Sequence, residues 1–218
     1  LLYLATSSPS TFATSTSGTS NALTIDASAN LSIATSSQFQ IGGLGVLTRS
    51  TTSAIILGDL TGTYTGSQSL DIQSARSNTL QAASGNQSVA IGLFNIASTT
   101  NTIAIGISNS ATNTNATAVG QSNIARGVRS SAFGYLNLAS GSKSSASGYS
   151  NTASGYASSS FGRSNLASGS RSSASGYVNT ASGSNSSATG YDNTASGSNS
   201  FAFGRSNLAS GSYSFAFG

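Results

Sequence analysis

The stretch SASGYSNTASG at residues 145–155 decides the fold, because it returns almost unchanged along the chain. It reappears as SASGYVNTASG at residues 173–183 and as SATGYDNTASG at residues 187–197. Its first glycine belongs to a series that recurs every fourteen residues from Gly92 to Gly218. Asn stands three residues after each of the first nine of these glycines, and Ala stands five residues after. Such a fixed period indicates repeat architecture and not a flexible linker.

The fourteen-residue unit has two unlike halves, because a second glycine series from Gly127 to Gly211 lies midway between glycines of the first. We predict that each half is a bend followed by a short strand. Gly supplies a positive φ at the bend, and Asn and Ser side chains bond to the turn backbone. Stacked coils then pair in parallel as a β-solenoid. The predicted turn glycines are Gly92, Gly106, Gly120, Gly134, Gly148, Gly162, Gly176, Gly190 and Gly204.

Two coils depart from this pattern, since Thr99 and Asn113 replace the mid-coil glycine. Asn tolerates a positive φ and Thr does so poorly. We therefore expect the bend at Thr99 to differ from the others. Ser160 also interrupts one of the two Ala series.

Side-chain size indicates which residues face the interior. Both halves carry an Ala series, so the interior must be narrow. Larger apolar residues flank one Ala series and point away from it, which makes an exposed stripe typical of an interface. Identical chains in cyclic symmetry could bury the stripe, or a folded-back segment of the same chain could cover it. This apolar stripe consists of Val89, Ile91, Ile103, Ile105, Val119, Phe133, Phe161, Phe201, Phe203, Phe215 and Phe217.

A column of larger polar side chains follows the first glycine series. From residue 135 onward the column has the order Tyr, Tyr, Arg, twice over. Such a column could hold sugars or protein surfaces by stacking and hydrogen bonding. It could equally be a stack that stabilises the coils, which is the reading we favour. The column consists of Tyr135, Tyr149, Arg163, Tyr177, Tyr191 and Arg205.

Composition argues against catalysis and against a metal or cofactor site. The chain has no Cys, no His and only four acidic residues, so the usual metal ligands and acid–base groups are scarce. Gly42 to Gly45 lacks the spacing of a phosphate-binding loop. A calcium-stacked solenoid would need an Asp in every coil, and a Thr column for binding ice or mineral surfaces does not run through all coils. We expect no catalytic, cofactor or metal residues.

The charge balance is mildly basic. From residue 120 onward there are six cations and one acid, Asp192. Without a Lys/Arg cluster, a solvated surface is a better reading than a site for anionic polysaccharide, lipid head groups or nucleic acid. We expect no nucleic-acid partner. No apolar run is long enough for a membrane span, so membrane contact is expected only through segments outside this chain.

The residues from about 79 to 218 resemble the YadA-like head repeats of trimeric autotransporter adhesins. The resemblance is carried by NQSVAIG at residues 86–92, by the endings SAFG, SASG and FAFG, and by the period. It implies a left-handed parallel β-roll in each chain, three chains around one axis, and an extracellular position on a bacterial surface fibre. The apolar stripe would then face the trimer axis, with Ser145, Ser147, Ser173 and Ser175 at some levels.

The family usually follows its head with a neck, a coiled-coil stalk and a membrane anchor, and none of these precedes Gly218. We expect a longer protein to continue beyond it, because the repeat is still running there. The same repeats occur in phage tail fibres.

Residues 1–78 form a separate predicted unit, an extended arm and irregular β region that caps the roll of residues 79–218 or exchanges strands with a neighbouring chain. Strands are predicted in residues 22–34, as a pair in 52–66, and in 70–75.

The chain is therefore predicted to be all-β and trimeric, an adhesive module without catalytic activity. Its expected partners are further copies of itself and a host or environmental surface, such as extracellular matrix or polysaccharide. The alternatives are a subunit of a self-polymerising filament and a phage-type tail fibre.

Overall fold

The computed structural model describes residues 66–74 and 80–218 in full, together with the backbone of six strands that precede residue 66. The described strands form three sheets, of three, fourteen and nine strands. The two larger sheets build the repeat region, and we call them the broad sheet and the narrow sheet. The all-β class and the parallel solenoid of fourteen-residue coils are confirmed.

The first seven strands precede the repeats. The three-stranded sheet is an antiparallel meander of β1, β2 and β3. The next strands, β4 to β6, pair antiparallel with one another, and β6 then pairs parallel with β7. In turn, β7 pairs with the first repeat strand, so this segment extends the edge of the broad sheet. The strands are β1 Ser10–Ala13, β2 Ala22–Ile25, β3 Leu31–Ile33, β4 Gln38–Ile41, β5 Leu44–Arg49, β6 Ile55–Gly58 and β7 Leu70–Gln73.

The predicted strands at 22–34 and 70–75 correspond to β2, β3 and β7, and β6 lies in the first half of the pair at 52–66. The second half of that pair, and the boundary at residue 78, lie outside the described residues.

Every full coil contributes one strand to the broad sheet and one two-residue strand to the narrow sheet. The broad-sheet strands are β8 Val89–Leu93, β10 Ile103–Ile107, β12 Thr117–Gln121, β14 Ser131–Tyr135, β16 Ser145–Tyr149, β18 Ser159–Arg163, β20 Ser173–Tyr177, β22 Ser187–Tyr191, β24 Phe201–Arg205 and β26 Phe215–Phe217. The narrow-sheet strands are β9 Ile96–Ala97, β11 Ser110–Ala111, β13 Ile124–Ala125, β15 Leu138–Ala139, β17 Thr152–Ala153, β19 Leu166–Ala167, β21 Thr180–Ala181, β23 Thr194–Ala195 and β25 Leu208–Ala209.

The interior between the two sheets is filled almost entirely by alanine. Ala132 of the broad sheet and Ala139 of the narrow sheet are fully buried, as are their equivalents in neighbouring coils. Because the side chains between the two sheets are mostly the methyl groups of alanine, the interior is narrow and each coil buries little apolar area. Ser160 takes the place of one interior Ala, and its hydroxyl donates a 3.0 Å hydrogen bond to the carbonyl of Asn165.

The first bend leads from the broad sheet to the narrow sheet. In the coil of residues 131–144, Gly134 has φ of 109° and Leu136, two residues later, has φ of 58°. The nine glycines from Gly92 to Gly204 all adopt positive φ at this place. A Cβ on Gly134 would also overlap the carbonyl oxygen of Gly148 in the next coil. Glycine is therefore required here both by conformation and by close approach.

The second bend, from the narrow sheet back to the broad sheet, corrects the predicted role of the mid-coil glycines. Gly141 does not have a positive φ; the left-handed residue is Lys143, with φ of 60°. Glycine is needed at position 141 because a Cβ would overlap the carbonyl of Gly155 in the next coil. Thus coil stacking, and not φ, selects this glycine series.

The bend at Thr99 was predicted to differ, but it has the same conformation as the others: its left-handed residue is Asn101, with φ of 57°, close to the 60° of Lys143. What differs is one hydrogen bond. In the coils with glycine at this place, the amide of Gly141 and its equivalents donates a long hydrogen bond to an Ala carbonyl of the next coil. The amides of Thr99 and Asn113 make no such bond within the described repeats. The side chain of Asn113 instead donates to the carbonyl of Arg126 at 3.2 Å.

Candidate binding surfaces

The outer face of the broad sheet carries two straight columns of side chains, on either side of the buried Ala column. Parallel pairing in exact register places each side chain above its equivalent in the next coil, as for Ile103 and Ile105 on Val89 and Ile91. Within the described coils, the first column runs from Val89 to Phe215 and the second from Ile91 to Phe217. All members of the apolar stripe lie in these columns.

The apolar stripe is partly exposed on the single chain. Phe133 and Phe161 are 40% and 41% exposed, and the Val and Ile members are half-buried. At the far end Phe201, Phe203, Phe215 and Phe217 stack as a quartet, with ring centroids 5.1 to 6.3 Å apart. The structure thus forms one continuous face with apolar groups concentrated at its two ends.

The middle of this face is more polar. Ser145 and Ser147 lie side by side in one coil, and Ser173 and Ser175 lie in the same columns two coils later. All four are half-buried. Phe161 stands between these levels, in register with Ser147 and Ser175. The second column therefore alternates between bulky and small side chains.

A ladder of asparagine side chains runs along the first bend. The amide nitrogen of Asn137 donates to Oδ1 of Asn123 at 3.0 Å, to the carbonyl of Phe133 at 2.8 Å and to the carbonyl of Gly148 at 2.7 Å. Oδ1 of Asn137 accepts in turn from the backbone and side chain of Asn151. We call this the Asn ladder; its members are Asn95, Asn109, Asn123, Asn137, Asn151, Asn165, Asn179, Asn193 and Asn207.

The Asn ladder is largely shielded from water. From Asn95 to Asn193 its side chains are at most 2% exposed. From Asn109 onward, each side chain joins three successive coils by hydrogen bonds. The sequence indicated a role for Asn in the turn backbone, but it did not reveal that the same side chains bond to one another between coils.

A buried polar pair closes the first end of the Asn ladder. Oε1 of Gln73 accepts a 2.6 Å hydrogen bond from the backbone N–H of Asn95. Asp71 lies in the Ala column and is fully buried; its carboxylate accepts from the Gln73 side chain at 3.1 Å and from the N–H of Ala83 at 2.9 Å. Burial raises the pKa of Asp71, and these two hydrogen bonds oppose the rise. Sequence reasoning missed this pair because it occurs once and has no period.

The Tyr/Arg column forms an unbroken stack. The rings of Tyr135 and Tyr149 stack with centroids 5.3 Å apart, and the guanidinium of Arg163 lies 5.2 Å and 5.5 Å from the rings of Tyr149 and Tyr177. Tyr177 then stacks on Tyr191 at 5.2 Å, and Arg205 lies over Tyr191. Each contact joins adjacent coils. The geometry supports a stabilising stack whose outer edges remain exposed.

A second group of polar side chains was not singled out from the sequence. Nζ of Lys143 donates a 2.8 Å hydrogen bond to the hydroxyl of Tyr156 and lies 5.2 Å from its ring centroid. This bond and the charge of Lys143 lower the pKa of Tyr156, with smaller contributions from Arg171 and Arg129. These residues share the second bend of consecutive coils. Only the fourteen-residue register could have shown that they are neighbours.

Two further properties concern the described residues only. They contain no group of three or more His, Cys, Asp or Glu side chains placed to hold a metal ion. None of their elements is a helix with the length and apolar character needed to span a membrane.

The register, the Ala interior and the two bends define a parallel β-solenoid of fourteen-residue coils. A family model described as the YadA head domain repeat matches residues 83–108, 111–137, 167–193 and 195–218. The repeats of this chain are YadA-like head repeats, which are structural adhesin domains. A comparison with curated proteins found no match.

Proposed function

We propose that this chain is the head segment of a trimeric fibre exposed on a cell surface, and that it mediates attachment without catalysis. In this arrangement each chain follows a left-handed roll, and the outer faces of three broad sheets meet around one axis. The observation that carries the proposal is the apolar stripe on that face, which is densest at its two ends and includes Phe133 and Phe161 between them. Membership of the YadA head family supports it.

The narrow interior explains why a single roll needs partners. Alanine side chains contribute little hydrophobic stabilisation, whereas the Phe, Ile and Val side chains of the stripe are larger and remain partly in water. Phe133 and Phe161, which have coils on both sides, are 40% and 41% exposed. Covering the stripe with two further copies would remove this apolar surface from water along the whole roll.

Cyclic symmetry fits the regularity of the face. In a parallel trimer each level of the axis receives the same residue from all three chains. Phe133 and Phe161 would meet their own copies at two levels, and Ser147 and Ser175 would bring three hydroxyl groups together at others. Hydroxyl or water-mediated hydrogen bonds would satisfy these polar levels.

Attachment would use the surfaces that the trimer leaves outside. The Tyr/Arg stack repeats its groups at regular intervals, and three chains would present it three times. Weak contacts repeated in this way gain strength through multivalency. Host or environmental surfaces, such as extracellular matrix or polysaccharide, are the partners that suit such a display.

Sedimentation equilibrium of the full chain over a range of concentrations tests this proposal. We expect the mass of a trimer for the chain and for Ile124→Lys, a matched change on the outer face of the narrow sheet. Ile105→Lys in the apolar stripe should weaken the trimer, because it places three cations at one axial level. A monomeric chain would overturn the proposal, and a mass that grows without limit would favour a filament.

A further inference from the structure

Four cations line the second bend in the middle of the repeat region. Arg129, Lys143 and Arg171 occupy the same left-handed position of their coils, with φ between 53° and 60°, and all are exposed. Arg126 directly follows β13 and the buried Ala125, lies just before this bend and is exposed. We call these four residues the basic ridge.

The backbone does not explain the cations. A left-handed conformation favours Asn among residues with a side chain. The chain uses Asn at this position in other coils, at Asn101, Asn115, Asn185 and Asn199. Arg and Lys have no conformational advantage there, so their concentration between residues 126 and 171 needs another reason.

The basic ridge is not neutralised within the described part of the chain. None of its cations forms an ion pair there; Asp192 lies on the first bend, and Asp71 is buried at the first end of the Asn ladder. Lys143 bonds to the neutral hydroxyl of Tyr156, which lies in the coil between Lys143 and Arg171. The lowered pKa of Tyr156 is consistent with a positive potential at this place.

The ridge is narrow and straight. Arg129 and Lys143 are in adjacent coils, and Arg171 follows two coils later, so the three span about 14 Å at the usual separation of paired strands. The Tyr156 ring lies within this line and is 44% exposed. Because Arg126 directly follows a strand of the narrow sheet, the ridge begins at the edge of that sheet, whereas the apolar stripe lies on the broad sheet.

We infer that the basic ridge is a binding site for a linear anionic polysaccharide, whose sulfate or carboxylate groups pair with successive cations while a sugar ring contacts Tyr156. This inference rests on the adhesive function proposed above and names a class of partner for it. Guanidinium groups bind such anions through paired hydrogen bonds. A chain that lies along the solenoid axis would meet the cations one after another.

The shape of the ridge favours a linear chain over other polyanions. Three cations in a row on a convex bend, with Arg126 beside them, give a flat membrane fewer contacts than the polybasic segments that bind one. Single-stranded nucleic acid is usually held by several aromatic platforms, whereas the ridge has only the ring of Tyr156.

Calorimetric titration of the full chain with heparin, at low and high salt, tests this inference. The test variant is Lys143→Asn/Arg171→Asn, which introduces the residue found at the equivalent place in other coils. The control is Asn101→Asp/Asn199→Asp, at the same left-handed position of two coils outside the ridge. Both variants lower the formal +4 charge of the chain by two.

We expect heparin to bind the chain and the control with an affinity that falls as salt rises, and to bind the test variant on the order of tenfold or more weakly. Absent binding, equal losses in both variants, or tighter binding of an oligonucleotide or anionic vesicles would overturn the inference. Sedimentation of the same samples separates the two proposals. A trimer that does not bind heparin would contradict only the proposed polysaccharide site. A monomer that binds heparin through the ridge would contradict only the proposed trimer.

Discussion

Gln73 replaces the asparagine that is missing before Asn95. Its side-chain oxygen accepts a hydrogen bond from the backbone N–H of Asn95, just as Oδ1 of Asn95 accepts one from the backbone N–H of Asn109. The Asn ladder therefore begins with a different residue that performs the same bonding. Asp71 holds the Gln73 side chain from the Ala column. Hydrogen bonds between side chains of adjacent coils thus hold the coils in register, whereas the alanine interior contributes little.

The Asn ladder predicts a large effect of a single truncation. Asn137→Ala removes a buried amide that bonds to three coils and leaves the carbonyls of Phe133 and Gly148 without this donor. The free energy of unfolding should fall by about 2–4 kcal/mol, since each buried group left unpaired costs about 1–3 kcal/mol. Chemical denaturation followed by circular dichroism measures the change. Asn185→Ala, at an exposed second-bend position, is the control and should change stability by less than about 1 kcal/mol.

Close stacking at the second bend predicts that Gly155 cannot carry a side chain. A methyl group in Gly155→Ala would overlap the carbonyl of Gly169, so the coils must separate. We expect unfolding to lose its cooperativity, or the free energy of unfolding to fall by about 3 kcal/mol or more, as in strongly overpacked sites. Ser154→Ala, at the neighbouring residue, whose side chain is exposed, is the control and should change the free energy of unfolding by less than about 1 kcal/mol. Equal effects of the two substitutions in thermal unfolding would contradict the stacking argument.

Val178 predicts a stabilising substitution. It is a β-branched residue held at φ of 59°, where such side chains are strained. Val178→Asn should raise the free energy of unfolding by about 1 kcal/mol, because Asn adopts the left-handed conformation at lower cost. The same change at Val128, which is similarly exposed but lacks a positive φ, serves as the control. An equal gain in the free energy of unfolding at both positions would contradict the argument from backbone strain.

The buried carboxyl of Asp71 predicts a pH dependence. Its pKa in the folded chain is raised above the ordinary value of 3.8, so the folded chain holds this proton more tightly than the unfolded chain. The stability contributed by the protonated form is therefore present below pH 3.8 and is lost as the pH rises through the folded-state pKa. Denaturant titrations at a series of pH values should show this decline in the chain and not in Asp71→Asn. Parallel profiles for the two proteins would contradict the assignment.

Much of the fold could be predicted from the sequence because its features recur in every coil. The spacing of glycine, asparagine and alanine reports the coil length, the two bends and the narrow interior. The role of Gly141 could not be read in this way, since a glycine selected by close approach looks the same as one selected by φ. The left-handed residues Leu136 and Lys143 could not be predicted either, because neither Leu nor Lys is typical of a left-handed conformation.

The binding surfaces were less accessible to prediction. The Tyr/Arg column appears in the sequence because it is periodic, but the sandwiching of Arg163 between two rings depends on side-chain conformation. Lys143 and Tyr156 are thirteen residues apart and occupy different positions of their coils. Asp71 and Gln73 occur once, so only the register of β7 on β8 reveals what they do.

The distance between spin labels on different chains tests the axial trimer most directly. The chain has no Cys, so Ser175→Cys on the broad-sheet face and Ser168→Cys, next to Ala167 on the narrow sheet, each give a single labelling site. Pulsed dipolar spectroscopy should give one short interchain distance for position 175 and a longer one for position 168. No interchain coupling, or a shorter distance at position 168, would show that the broad sheets do not meet at the axis.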